Sequence, residues 1–153
     1  MDISTAHPRD AACICTVVRR SIIELCTEDH GDDPAILEPW LANKTPANVE
    51  QWIANPANTL LTCIESGALL GVGCVRDGGE ITLNYVSPDA RFRGVSTAMV
   101  AALEAAARAR GHRICVLEST ATARRFYLGQ GYAPSSAPGE KFGLKTYPMI
   151  KPL

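Results

Sequence analysis

The stretch over residues 88–97 has the composition of an anion-binding turn. It reads Pro-Asp-Ala-Arg-Phe-Arg-Gly-Val-Ser-Thr, lies between a β-rich run and a helical pattern, and contains Arg91, Arg93 and Gly94. The first N–H groups of a helix are unpaired and carry a partial positive charge, so they attract phosphate groups, and a glycine lets a ligand approach the backbone. Two arginines would add charge-assisted hydrogen bonds. The stretch therefore predicts a pyrophosphate site, with a plain solvated connection as the alternative.

The two commonest nucleotide-binding motifs are absent from the chain. The phosphate loop of nucleotide hydrolases requires G-x-x-x-x-G-K-[ST], and the dinucleotide fingerprint requires G-x-G-x-x-G. Neither pattern occurs in the 153 residues. A phosphate site at residues 88–97 must therefore belong to another architecture.

The spacing of apolar residues predicts the elements that would position this turn. Apolar residues recur at three- and four-residue steps over 10–28, which is typical of an amphipathic helix, and two short helical segments follow. Three β-rich runs separated by glycine-containing turns indicate an antiparallel meander. The predicted elements of this half are a strand at 3–6, helices at 10–28, 34–42 and 46–54, and strands at 59–65, 69–76 and 80–87.

The second half of the chain alternates between helical and strand patterns, so the class is mixed α and β. Gly111 is predicted to stop the helix that follows the turn. Residues 133–140, with two prolines and two serines, are predicted to form a loop that borders a substrate cleft. The predicted elements are helices at 96–110 and 120–129 and strands at 113–117 and 146–151.

Three consecutive motifs resemble the GCN5-related N-acetyltransferase (GNAT) superfamily. Residues 91–96 fit the pattern [Q/R]-x-x-G-x-[G/A] of its coenzyme A loop, except that Ser96 takes the last position. Residues 83–88, Leu-Asn-Tyr-Val-Ser-Pro, are similar to its fourth strand, and residues 123–132 fit its A-x-x-F-Y-x-x-x-G-[FY] helix. A second departure is Thr120, at a position where relatives often carry an asparagine that contacts the cofactor. Since Ser96 keeps its backbone N–H, the resemblance still implies coenzyme A binding.

The resemblance implies a fold and a reaction. The fold is α/β, with a central, mostly antiparallel twisted sheet that splays between its fourth and fifth strands and is flanked by helices. One such domain would take up residues 1–153, a usual size for a single domain. The reaction is transfer of the acetyl group of acetyl-CoA, a co-substrate, to a primary amine of a small molecule or peptide. It would proceed by direct attack in a ternary complex and without a metal.

The same resemblance implies the residues that bind acetyl-CoA. The pantetheine arm would lie between the splayed strands and bond the backbone near Tyr85 and Val86, while the loop and the next helix hold the pyrophosphate. The residues expected to bind are Tyr85, Val86, Arg91, Phe92, Arg93, Gly94, Val95, Ser96, Thr97, Thr120 and Tyr127.

Three side chains are candidates for catalysis. Tyr127 occupies a position where family members keep a tyrosine that protonates the departing sulfur, and a core aromatic beside Phe126 is the alternative. Glu118 resembles a proposed base of peptide N-terminal acetyltransferases, and Glu80 resembles that of histone acetyltransferases. We favour Glu118 slightly. For both glutamates a solvated strand end or a helix-capping carboxylate is the alternative.

Composition argues against several other classes. A formal net charge of −1 and a pI near 6.3 do not suit a surface that neutralises many phosphates, so neither nucleic acid nor a membrane is an expected partner. The six cysteines form no C-x-x-C pair, which predicts that most of them are buried reduced thiols and that they form no zinc site. Since residues 1–9 form no basic apolar leader and no run of about eighteen apolar residues occurs, we expect a cytoplasmic protein.

The acceptor and the assembly stay open at the level of sequence. Acidic side chains in the region that sets acceptor choice in the superfamily would attract a cationic amine or a lysine-bearing peptide, with solvated surface as the alternative. These residues are Asp29, Asp32, Asp33 and Glu38. Two other functions fit the same motifs: a non-catalytic module that binds coenzyme A, and an acyltransferase with another acyl chain or acceptor. A homodimer also fits the resemblance.

Overall fold

The first half of the chain forms one strand, four helices and a three-stranded meander. A computed structural model describes all residues from 1 to 153. The elements are β1 (Asp2–Thr5), α1 (Ala11–Leu25), α2 (Thr27–His30), α3 (Pro34–Ala42), α4 (Pro46–Ala54), β2 (Asn58–Glu65), β3 (Ala68–Arg76) and β4 (Ile81–Val86).

The second half places helices between strands and ends in a long strand. Its elements are α5 (Val95–Ala109), β5 (Ile114–Ser119), α6 (Ala121–Gly129), β6 (Ala133–Pro134), β7 (Gly139–Lys141) and β8 (Leu144–Pro152). None of the six helices is long and apolar enough to cross a membrane.

Two of the sequence predictions about local structure were wrong. The helix predicted over 10–28 is interrupted at Cys26, whose φ and ψ of −105° and 29° leave the helical region, and it restarts as the single turn α2. The loop predicted over 133–140 holds β6 and the start of β7, which pair with β8 at Ala133–Ile150 and Gly139–Thr146. Pairing with a neighbouring strand overrides the weak strand preference of Pro, Ser and Gly.

The strands form two sheets that meet at one point. One sheet has the order β1-β2-β3-β4, all antiparallel, and the other has the order β5-β8-β6, with β7 also on β8. Between the sheets, β4 and β5 run parallel and share a single bridge, Glu80 with Val116, where the Val116 N–H donates to the Gly79 carbonyl at 3.0 Å. Beyond this bridge the two strands separate. The α/β fold with a sheet splayed between its fourth and fifth strands is confirmed.

Successive side chains of a strand point to opposite faces of the sheet, and the first sheet has an apolar core on each face. Helix α5 covers one face, where Met99 and Leu103 pack with Val75 and with Leu117 of β5. Helices α1, α3 and α4 cover the other, and the residues that form this second core include Ile14, Ile22, Trp40, Val49 and Val72. Helix α5 therefore lies on one face of the sheet, and helices α1, α3 and α4 lie on the other. The gap between β4 and β5 passes through the sheet and connects these two sides.

Gly79 is required where β4 and β5 meet, which predicts a large effect of Gly79→Ala. Its φ is +84°, and a Cβ there would lie 2.2 Å from the backbone oxygen of Ile114. At Gly78 the φ is +97° but a Cβ would meet nothing within 4 Å. Urea denaturation should give a loss in the free energy of unfolding of about 1–2 kcal/mol for Gly78→Ala, from backbone conformation alone. The loss should be roughly 1–3 kcal/mol larger for Gly79→Ala, because the β4–β5 junction must open. Equal losses would contradict this account of the junction.

Candidate active site

A cleft of about 400 Å³ occupies the gap between β4 and β5. Its walls come from β4, the turn after it, the start of α5, the end of β5 and the first turns of α6, and on the α1 side from α1 and α3. One end of the cleft lies at the N-terminus of α5. The other end lies beside the C-terminus of α1.

The N-terminus of α5 presents backbone donors with no acceptor inside the protein. The first backbone bond of the helix runs from the Ala98 N–H to the Gly94 carbonyl at 3.0 Å, so the N–H groups of Val95, Ser96 and Thr97 are unpaired, and no side chain caps them. Gly94 has a φ of +80°, which glycine adopts without strain. Side chains do cap the three helices α3, α4 and α6, and the capping residues are Asp33, Thr45 and Thr120. The start of α5 therefore suits an external anion.

Three side chains of the preceding turn take different positions. Arg91 lines the cleft, with its guanidinium carbon 4.6 Å from the ring centroid of Phe92. Phe92 also lines the cleft, is 90% exposed and has a φ of +64°, an unfavourable backbone conformation for a large side chain. Arg93 does not line the cleft, because its guanidinium forms an ion pair with Glu65. Arg91 therefore brings a positive charge to the cleft, whereas Arg93 ties the turn to β2.

The open edge of β4 supplies backbone groups to the cleft. The Ser87 N–H donates to the Leu70 carbonyl of β3 at 2.8 Å, and Tyr85 stands opposite Val72. Since main-chain groups two residues apart point the same way in an antiparallel ladder, the backbone of Tyr85 also faces β3. The N–H and C=O groups of Asn84 and Val86 face the gap instead. Tyr85 contributes its side chain to the α1 end of the cleft.

Tyr127 lies in the wall of the cleft with a buried phenol. It is 6% exposed, and its ring packs edge-on against Phe126 and Tyr132 at centroid distances of 5.1 and 5.6 Å. The Asn84 Nδ2 donates to the Tyr127 Oη at 3.2 Å, so the phenol accepts there and keeps its own proton for another partner. Burial raises the pKa of Tyr127 above its usual value. The structure therefore holds a protonated phenol at the cleft.

Asn84 is a site residue that the sequence interpretation missed. Its Oδ1 is buried and has no hydrogen-bond partner, although its amide nitrogen meets Tyr127. A buried unpaired acceptor is unusual in folded proteins and marks a place where a ligand donor or water fits. The sequence did contain one signal for Asn84. It stands two residues before the predicted binding residue Val86, so both residues lie on the same face of the strand.

The two candidate glutamates lie in different places. Glu118 lines the cleft near the end of β5, is exposed and forms no ion pair. Glu80 lies outside the cleft at the β4–β5 junction, and its Oε2 is 3.9 Å from the Nη1 of Arg76. The structure brings Glu118, and not Glu80, into one cavity with Tyr127.

Two of the four acidic residues expected to attract a cationic acceptor hold the starts of helices instead. Asp29 accepts from the N–H of Thr122 at 3.1 Å and from its hydroxyl, which ties α2 to the start of α6. Asp33 accepts from the N–H of Ala35 at the start of α3. Neither of these, nor Asp32 or Glu38, lines the cleft.

The remaining predicted binding residues lie around the cleft. Thr120 lines it while its hydroxyl accepts from the Ala123 N–H at 3.3 Å. Of the expected acetyl-CoA residues, all line the cleft except Arg93; those that do are Tyr85, Val86, Arg91, Phe92, Gly94, Val95, Ser96, Thr97, Thr120 and Tyr127. No three His, Cys, Asp or Glu side chains are grouped as a metal site would require.

Comparison with known proteins agrees with this geometry. The model of the acetyltransferase (GNAT) domain matches residues 26–153. No curated protein matches the chain by sequence at a significant level.

Several solved structures share the fold over nearly the whole chain. A GCN5-related N-acetyltransferase from Rhodopseudomonas palustris, also described as a class-II aminotransferase, is 26% identical with a TM-score of 0.88, over 99% of this chain and 95% of that one. The PaiA N-acetyltransferase of Thermoplasma acidophilum, in complex with coenzyme A, is 15% identical with a TM-score of 0.83, over 99% and 98%. An aminoglycoside 6'-N-acetyltransferase from Enterococcus faecium is 17% identical with a TM-score of 0.75, over 99% and 97%.

The contact between Asp29 and Thr122 predicts a measurable contribution of α2 to stability. Asp29→Ala removes a carboxylate that satisfies the start of α6, and the free energy of unfolding should fall by about 1 kcal/mol. Glu28→Ala is the matched control, because Glu28 is the exposed neighbouring carboxylate in α2 and makes no hydrogen bond. Its effect in the same urea titration should stay within about 0.5 kcal/mol. If the two variants were equally stable, Asp29 would not cap α6 in solution.

Proposed function

Since the chain belongs to the GNAT acetyltransferase family, we propose that it transfers the acetyl group of acetyl-CoA to a primary amine of a small molecule or peptide. The observation that carries the proposal is the joining of three features in one cleft. These are the unpaired amides at the start of α5, the open edge of β4 and the buried phenol of Tyr127. Such a cleft would hold three parts of the acetyl-CoA molecule. These are the diphosphate anion, the pantetheine arm, which binds like a strand, and the sulfur that leaves in the reaction.

The diphosphate is proposed to bind at the start of α5. Val95, Ser96 and Thr97 offer unpaired N–H groups, and Gly94 leaves the approach open, since a Cβ there would meet nothing within 4 Å. Arg91 adds a charge-assisted contact from the cleft wall. Arg93 belongs to the same loop, and we assign its contribution to the shape of the loop through its ion pair with Glu65.

The pantetheine arm is proposed to lie along β4. The backbone groups of Asn84 and Val86 that face the gap are the donors and acceptors of an unfilled strand position. Tyr85 and Thr120 would border the arm with their side chains, as Phe92 would at the diphosphate end. The Asn84 N–H, farther from the diphosphate than Val86 and on the residue that contacts Tyr127, is the proposed donor to the carbonyl oxygen of the thioester.

Acetyl transfer then needs an attacking amine and a protonated leaving group. The neutral amine attacks the carbonyl carbon, a C–N bond forms, and negative charge develops on the oxygen held by the backbone donor. The C–S bond breaks, and the departing sulfur takes the proton of Tyr127 while the amine nitrogen loses its proton to Glu118 or to water held by it. The phenolate regains a proton from solvent, and the products are an amide and free coenzyme A.

Tyr127 is held in its protonated form at the cleft. A phenol is protonated at neutral pH, burial raises its pKa further, and the Asn84 amide orients it by donating to its oxygen. We assign Asn84 as the positioning residue for Tyr127. Glu118 is the proposed base, since Glu80 lies outside the cleft beside Arg76.

Arg91→Glu should weaken coenzyme A binding by at least about tenfold, because it replaces a favourable charge beside the diphosphate with a repulsive one. Isothermal titration calorimetry with coenzyme A measures the dissociation constant directly. Arg108→Glu makes the same charge change in the last turn of α5, away from the cleft, and should stay within about twofold of wild type. Equal affinities for Arg91→Glu and wild type would count against the proposed diphosphate site.

Tyr127→Phe should lower kcat by about 100-fold or more while leaving the coenzyme A dissociation constant nearly unchanged, because it removes only the acid. Tyr147→Phe, at a tyrosine outside the cleft, is the control and should keep wild-type turnover.

The pH profile of the wild type adds a second check on Tyr127. With the pKa of the phenol raised, activity should increase as the acceptor amine deprotonates, and Tyr127 should cause no decline below about pH 10. A decline in wild-type kcat near neutral pH that disappears in Tyr127→Phe would show that the phenol ionises early and is not held as described.

A further inference from the structure

The α1 side of the cleft has a wall of its own. The side chains that form it come from the C-terminal turn of α1, the residue after it, α3 and the α1 face of β4: Ser21, Leu25, Cys26, Trp40, Leu83 and Tyr85. If the diphosphate binds at the start of α5 and the arm lies along β4, as proposed above, this wall on the α1 side is left for the acceptor.

Most of this wall is apolar, and it is packed against the second core. Trp40 is 3% exposed and packs edge-on against the buried His30, whose Nε2 lies 2.9 Å from the carbonyl oxygen of Ile22. The Cys26 thiol is uncharged at neutral pH, and burial raises its pKa further, to about 12. Leu25 is half-buried and completes an aliphatic and aromatic surface.

Charge in the cleft is limited to two side chains. Among all the lining residues only Arg91 and Glu118 are charged, and Glu118 is the single carboxylate. The four acidic residues that the sequence suggested for attracting cations lie elsewhere, with Asp29 and Asp33 engaged as caps. Asp29 and Arg91 both act on the Cys26 thiol, so charges of both signs reach this wall, but the Asp29 carboxylate is held by Thr122. A second ammonium group would therefore find no further carboxylate among the lining residues.

We infer that the acceptor is a primary amine with one positive charge on a compact apolar or aromatic body, such as an arylalkylamine. This inference rests on the proposed acetyl transfer and names its substrate class. The amine would lie between Glu118 and the thioester, while the apolar body fills the surface formed by Leu25, Trp40 and Tyr85. The cleft of about 400 Å³ must also hold the acetyl group and the pantetheine arm, so the body of the acceptor must be compact.

The test compares three amines as substrates of the full-length protein. Release of free thiol from acetyl-CoA is followed with 2-phenylethylamine, spermidine and kanamycin. We expect a kcat/KM at least about 100-fold higher for 2-phenylethylamine, because neither polycation has carboxylates to meet its further charges. A higher kcat/KM for spermidine or kanamycin, or no turnover of any of the three, would overturn the inference.

Calorimetry with acetyl-CoA separates failure of this inference from failure of the proposed function. Tight binding of acetyl-CoA together with preference for a polyamine would leave acetyl transfer intact and reject the apolar acceptor. Absence of acetyl-CoA binding would reject both.

A pair of variants on α1 tests the wall itself. Leu25→Gln should raise the KM for 2-phenylethylamine about tenfold, with kcat and the coenzyme A dissociation constant nearly unchanged, because it places an amide against the ring. Ile23→Gln is the matched control, since Ile23 is a 39% exposed residue of the same helix outside the cleft, and its KM should equal that of wild type. An unchanged KM in Leu25→Gln would place the acceptor elsewhere.

Discussion

Two parallel strands that touch once and then separate impose the constraint on which this molecule depends. At the junction the Val116 N–H meets the Gly79 carbonyl, and a glycine is needed because a side chain would strike the backbone of Ile114. Beyond it, the edge of β4 has no partner strand, and its backbone groups must be satisfied by water or by a ligand. The opening is therefore a consequence of the sheet's construction, and the same opening joins the two faces of the sheet so that two substrates could enter from opposite sides.

The surroundings of Tyr127 illustrate how packing sets chemistry. The ring is held by neighbouring aromatics, which bury the phenol and raise its pKa, while Asn84 donates to its oxygen and leaves its proton available. The helix that carries Tyr127 is fixed at its start by Thr120 and, through Thr122, by Asp29. An acidic residue that looks like a surface charge in the sequence thus acts through α6 on the position of the phenol.

Much of the fold was predictable because its signals are local. The two short helices over 34–42 and 46–54 were predicted with their boundaries, and each begins at a proline that follows a capping residue, Asp33 or Thr45. The glycine-containing turns predicted the meander. The missed features depend on distant partners. Asn84 meets Tyr127 across 43 residues and Asp29 meets Thr122 across 93, so no periodicity or spacing reveals either contact. Likewise Arg91 and Arg93 are equivalent in the sequence, and only the position of Glu65 on β2 separates them.

The central claim is that the start of α5 binds a diphosphate and so fixes a thioester beside Tyr127. A crystal structure of the protein with acetyl-CoA bound measures both parts at once. We expect the diphosphate oxygens to accept hydrogen bonds from the N–H groups of Val95, Ser96 and Thr97, and the sulfur to lie within about 3.5 Å of the Tyr127 hydroxyl. A diphosphate held elsewhere, or a sulfur out of reach of that hydroxyl, would contradict it.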